Sequence, residues 1–266
     1  MKTKIQLVQV MTAITLSSVL LEGVVAGPLE EKGLAIANEV DRHDQGWGDT
    51  TTSMKMVLRN KQGEESTRMI RLKSLEVSGD GDKGLTIFDS PKDVKGTAFL
   101  SFSHVTAPDD QWLYLPALKL VKRISSANKS GPFMGSQFSF EDLASFEVDK
   151  YKYKYLRDES LGKIDSFVVE NYPQYEHSGY KRQVVWIDKQ RYIPLKVEYY
   201  DRKNDLLKTL EFSDYKQYLS KYWRAQQQVM KNHQNGKSTV LTLSDYKFQN
   251  GFKDRDFERS SLKRSR

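Results

Sequence analysis

The sequence contains no cysteine. That excludes a disulfide framework, thiolate metal sites, a cysteine nucleophile and acylation at an N-terminal cysteine. Such a chain must hold its fold by core burial, which 266 residues permit. Histidine is scarce: His43, His104, His177 and His233 are far apart in sequence, and none stands in a metal-type spacing such as HExxH. No GxSxG elbow occurs. Gly131-Pro132-Phe133-Met134-Gly135 has glycines but not the GK[ST] of a phosphate loop. Gly79-Asp80-Gly81-Asp82 lacks the further ligands and distal glutamate of a calcium loop. The adjacent acids Asp109-Asp110 and Glu141-Asp142 cannot easily flank one scissile bond, and read as solvated turn charges. The chain is therefore not expected to be an enzyme, and neither metal nor cofactor is expected.

Long apolar runs are missing too, except at the start. Lys2 and Lys4 precede an apolar stretch over residues 5–21 that closes on Val24-Val25-Ala26. A short basic start, an apolar middle and small residues at the end mark a secretory signal peptide, with cleavage expected after Ala26. The strongly apolar part is short for a membrane span of about 20 residues, and Glu22 closes it off. Export to the periplasm follows as an expectation. Losing Lys2, Lys4 and Glu22 removes two positive charges and one negative, so the formal net charge of +7 becomes +6. Hydrophobic residues at 38% and aromatics at 11% suffice for a packed core.

What the sequence does have is alternation. After a helical stripe over residues 27–44 (Leu29, Leu34, Ile36, Ala37 and Val40), Gly46-Trp47-Gly48 ends the helix. Met54, Met56 and Leu58 then alternate with polar residues. A turn over 60–63 follows, and Ile70 and Leu72 alternate on the return, which together read as a hairpin. Further strands are expected at 84–89, 97–103, 111–115, 118–124, 164–171, 183–188, 195–200, 206–212, 222–230 and 238–248. So many closely spaced strands argue for one large antiparallel sheet, curled or closed. Residues 253–266 are highly charged and are expected to fray.

Residues 125–149 break the rhythm with Phe133, Met134, Phe138, Phe140, Leu143 and Phe146 among serines and glycines. A segment so long and apolar reads as a lid over one mouth of the sheet, with Gly131 and Gly135 as pivots about Pro132, or as static core. Basic and aromatic residues interleave at 118–123 and 151–155. In an exported chain these point away from nucleic acid. They suit either anionic lipid head groups or sheet edges blunted by lysine.

The runs DDQWLYLPALKLVKRISSANKSGPFMGSQFSFEDL (109–143), DRHDQGWGDTTTSMKMVLRNKQGEE (41–65) and VVWIDKQRYIPLKVEYYDRKNDLLKTLEF (184–212) resemble the LolA-like outer-membrane lipoprotein-sorting family. They resemble in particular its long branch, found beside RND-superfamily (MMPL-type) exporters. The resemblance implies a mainly β fold: a strongly curved antiparallel sheet, an incomplete barrel, with helices plugging its concave face. It also implies a monomeric carrier of the acyl chains of a lipid or lipoprotein, with an RND/MMPL-type exporter as partner. A non-carrying accessory subunit of an envelope transporter is the alternative. Physical chemistry agrees with a carrier, because each exposed methylene costs about 0.8 kcal/mol in water. The expected organisation is a signal peptide over 1–26, a carrier domain over 27–252 and a tail over 253–266. The expected lipid-binding residues are Met54, Met56, Leu58, Ile70, Leu72, Leu100, Phe102, Trp112, Tyr114, Phe133, Met134, Phe138, Phe140 and Leu143.

Overall fold

The computed structural model describes residues 27–263; the expected signal peptide and residues 264–266 lie outside them. Helix α1 (Pro28–Asp44) opens on a proline in its first turn, where the missing N–H costs nothing, with Glu30 and Glu31 at the positive end of the helix dipole. Thirteen strands follow: β1 Asp49–Arg59, β2 Glu65–Leu75, β3 Lys83–Ser90, β4 Ala98–Phe102, β5 Asp110–Leu115, β6 Leu120–Ile124, β7 Tyr151–Leu161, β8 Ile164–Pro173, β9 Tyr180–Asp188, β10 Pro194–Asp201, β11 Leu206–Tyr218, β12 Tyr222–Asn232 and β13 Ser238–Phe248. They form one sheet in the order β6-β5-β4-β3-β2-β1-β13-β12-β11-β10-β9-β8-β7. Every pairing is antiparallel, and the two terminal strands do not close on each other.

Hydrogen bonds show how strongly the sheet curls. Nine strand spacings of about 4.8 Å separate β5 from β9, roughly 43 Å in a flat sheet. Yet Gln111 on β5 donates to the Phe140 carbonyl at 2.9 Å, and Tyr180 on β9 donates to Asp142 at 2.7 Å. Two residues of chain bridge only about 7 Å, so the walls must wrap around this segment. Register shifts in β1, β2, β7 and β10 supply bulges that bend strands.

Both basic–aromatic stretches are the sheet's edges. Residues 151–155 begin β7, where tyrosine alternates with lysine, and its place at the end of the sheet fits the lysine-blunted edge among the two expectations for this stretch. Helix α1 lies along it. A Cβ on Gly33 would sit 2.9 Å from the Tyr155 amide nitrogen, so only glycine lets the helix axis come this close. Lys32 caps the Tyr155 ring at 3.4 Å. The helix buries Gly33, Ile36 and Ala37, while Leu29 and Leu34 of the expected stripe are exposed. Strand β6 is the other edge and carries Lys122 and Arg123.

Two expectations are corrected on the convex face. Leu100, Trp112 and Tyr114, with Phe102 packed beside them, face outward from the hollow and form a separate cluster with Leu85, Ile87 and Ala98. The reason is the C-terminal segment. Phe257 and Leu262 are fully buried against these residues, so both faces of β4 and β5 are apolar and alternation there does not reveal which is inner. That segment does not fray. Asp49 accepts the backbone N–H groups of Asn250, Gly251 and Phe252, and Lys83 pairs with Asp254 at 2.9 Å.

Candidate functional site

The concave face divides into a filled end and an open end. At the filled end, Met54, Met56 and Ile70 are buried and Leu58 and Leu72 half-buried against the main core. Residues 125–149 lie on top of them. The Phe133 ring packs 5.8 Å from Phe88, 5.2 Å from Phe99 and 5.5 Å from Phe140. Phe138 is buried, and Met134, Phe140 and Leu143 are half-buried against the same core.

Polar bonds fix this segment to strands all around the curl. Arg68 donates to the Met134 carbonyl. The Gln137 amide donates to Thr239 at 3.0 Å. Lys208 donates to the Gln137 carbonyl at 3.0 Å and to Asp142 at 2.5 Å, in an ion pair with both side chains only 4% exposed. Glu141 accepts from Tyr175, Ser178 and the Gly179 amide at 2.5–2.8 Å. A buried charge is tolerated only where paired and hydrogen-bonded in this way. The segment is built as a plug held from both walls, in keeping with the static-core alternative.

The open end holds a cavity of about 1800 Å³. Its floor is β8 to β13, through Val169, Val185, Ile187, Val197, Phe212 and Leu243, and α1 faces it with Ala37 and Val40. Of the residues expected to bind lipid, Leu72 alone lines it. Met54, Met56, Leu58 and Ile70 lie under the plug, and Phe133, Met134, Phe138, Phe140 and Leu143 form the plug. The floor residues escaped the sequence reading. The apolar pair Val168-Val169 and the run over 184–187 were the available signal, but they show no alternation to say which face they line. Pockets for drug-sized ligands measure about 300–1,000 Å³, so this space suits something longer.

Charged side chains also line the cavity, among them Asp44, Glu76, Asp82, Glu147, Arg191 and Arg224. Arg224 pairs with Asp44 at 2.5 Å, and Arg191 pairs with Asp188 at 2.6 Å with its guanidinium 5.2 Å from the Trp223 ring. Glu76 accepts the amides of Gly46 and Gly48 at 2.6 Å each. Burial pushes the Asp82 carboxyl up to about 6, with Glu76 and Asp44 adding repulsion. Burial, then the Asp82 charge, pushes Glu147 up to about 7. Among the described residues no group of three or more His, Asp or Glu is arranged to hold a metal ion.

Comparison with known proteins fits this geometry. A family model described as an uncharacterized protein matches residues 80–264. A crystal structure of an outer membrane lipoprotein-sorting protein domain from Vibrio parahaemolyticus is 62% identical, with a TM-score of 0.87, covering 88% of this chain and 99% of that one. A DUF1329 family protein from Desulfovibrio piger is 32% identical, with a TM-score of 0.84 and the same coverage. The chain belongs to the LolA-like lipoprotein-sorting family. A LolA superfamily protein from Nitrosomonas europaea, 20% identical with a TM-score of 0.68 over 86% of this chain and 98% of that one, shares the fold. No curated protein sequence matches.

Proposed function

We propose that the protein is a periplasmic carrier that holds the acyl chains of a lipid or lipoprotein in its open cavity and moves them across the envelope. The observation that carries this is the cavity itself: about 1800 Å³ of space over a strand floor that includes Val169, Val185, Ile187, Val197, Phe212 and Leu243. Such a surface is costly to leave in water, and an alkyl chain gains about 0.8 kcal/mol per methylene by entering it. Membership of a lipoprotein-sorting family supports the cargo class. Export through a cleaved signal over residues 1–26 and partnership with an RND-type exporter belong to the same proposal. They rest on the leader pattern and on the family resemblance.

Narrowing the cavity tests it. Val185 sits on the floor with its side chain buried. Val185→Trp should project an indole into the space and lower the affinity for a dansyl-labelled fatty acid at least tenfold, with an unchanged far-UV circular dichroism spectrum. Unchanged affinity in a folded variant would sink the proposal.

A further inference from the structure

The cavity floor mixes apolar and polar side chains, and three of the polar ones stand in one line across neighbouring strands. Strand register places Asn171 on β8 directly opposite Gln183 on β9, and Gln183 opposite Tyr199 on β10. Residues directly opposite on neighbouring strands point to the same face, and all three line the cavity. Two residues along each strand, about 6.6 Å away, runs a parallel apolar row, Val169–Val185–Val197, in the same register and also lining the cavity.

The polar row is buried, and two of its three members make no side-chain hydrogen bond. Asn171 is 5% exposed, Tyr199 8% and Gln183 9%. The Asn171 amide and the Tyr199 hydroxyl hydrogen-bond to no other described residue. No side-chain nitrogen or oxygen sealed from solvent lacks a partner, so these two groups open onto the cavity. Gln183 lies against the Tyr151 hydroxyl and, with Tyr199, also borders a side chamber of about 150 Å³. A ligand that covers these groups without bonding to them would leave them unpaired at a cost of about 1–3 kcal/mol, so the row favours a ligand that hydrogen-bonds to it.

The row selects the chemistry of that ligand. Its free groups are neutral: an amide and a phenol that burial, with Asp142 nearby, holds protonated. Both cations beside it are already neutralised, Lys208 by Asp142 and Lys150 by Asp109. A free carboxylate or phosphate would meet no unpaired positive charge here. Resting on the carrier reading, we propose that Asn171, Gln183 and Tyr199 form a subsite for the neutral carbonyl of an acyl ester or amide, whose alkyl chain runs over Val169, Val185 and Val197.

The test uses two probes that differ only in that carbonyl. Monopalmitoylglycerol carries the ester, and its ether analogue 1-O-hexadecylglycerol lacks it. Each competes for the purified protein against a bound dansyl-labelled fatty acid. The wild type should bind the ester about fivefold to tenfold tighter than the ether. Tyr199→Phe, which removes only the unpartnered hydroxyl, should cut that preference to about twofold or less. It should weaken ester binding more than ether binding and leave thermal stability unchanged. Equal displacement by the two probes in wild type, or an ester preference that survives in Tyr199→Phe, overturns the subsite and leaves the carrier reading standing. Failure of both probes, and of the dansyl fatty acid itself, to bind overturns the carrier reading and the subsite with it.

Discussion

The Lys208–Asp142 pair decides whether residues 125–149 are a plug or a lid. Both side chains are 4% exposed and 2.5 Å apart. Lys208→Met leaves Asp142 charged and buried, with only the Ser139 amide and the Tyr180 hydroxyl to accept from. Breaking one side of such a pair costs about 3–5 kcal/mol. At about 2–4 °C per kcal/mol for a domain of this size, the melting temperature should fall by roughly 6–20 °C. Asp142→Leu should cost a similar amount by stranding the ammonium. The double variant Lys208→Met/Asp142→Leu removes both charges and should be no worse than the poorer single, a coupling of more than about 2 kcal/mol. Urea titration followed by tryptophan fluorescence on all four proteins measures this cycle. Single variants that each cost under about 1 kcal/mol and add independently would mean that water reaches the pair. The segment would then move as a lid, and the plug account would be wrong.

Two further predictions follow from groups the fold buries. Asp82 has a folded-state value of about 6 against an ordinary 3.8. The native state therefore holds its proton more tightly, and stability is lost as pH rises from about 4 to about 6. Asp82→Asn should melt higher than wild type at pH 7.5, by an amount on the order of 1–3 kcal/mol, and equal to it near pH 3.5; a gap independent of pH in thermal scans counts against the burial argument. Phe257→Ala should cost about 3–5 kcal/mol as a buried aromatic, measured by chemical denaturation, whereas a frayed tail would lose under about 0.5 kcal/mol.

Much of the scaffold was legible in the sequence, because period-two alternation is local. The helix over 28–44, the first hairpin and most later strands stand where alternation and turn residues put them. What failed depended on distant partners. The inner face of β4 and β5 stayed hidden, since Phe257 and Leu262 sit in a run of charges that disguised two apolar anchors for the outer face. For YKYKYLR the local pattern leaves a lysine-blunted edge and a head-group patch both open, and the position of β7 at the end of the sheet depends on pairing with β8. Composition alone leaves the aromatics after residue 131 as either a lid or static core. Their fixed position is set by Lys208, Arg68 and Thr239, which lie between 66 and 102 residues from the groups they bond. Asn171, Gln183 and Tyr199 look unremarkable in sequence and become a row only through the pairing of three strands.

Whether the open cavity holds acyl chains is tested most directly by native mass spectrometry of the protein purified from the envelope fraction. A second species is expected, heavier than the polypeptide by the mass of one lipid. Organic solvent should strip it, and it should be absent or strongly reduced in Val185→Trp. A bare polypeptide mass in both proteins, persisting after incubation with phospholipid and with acylated peptide, would contradict the carrier reading.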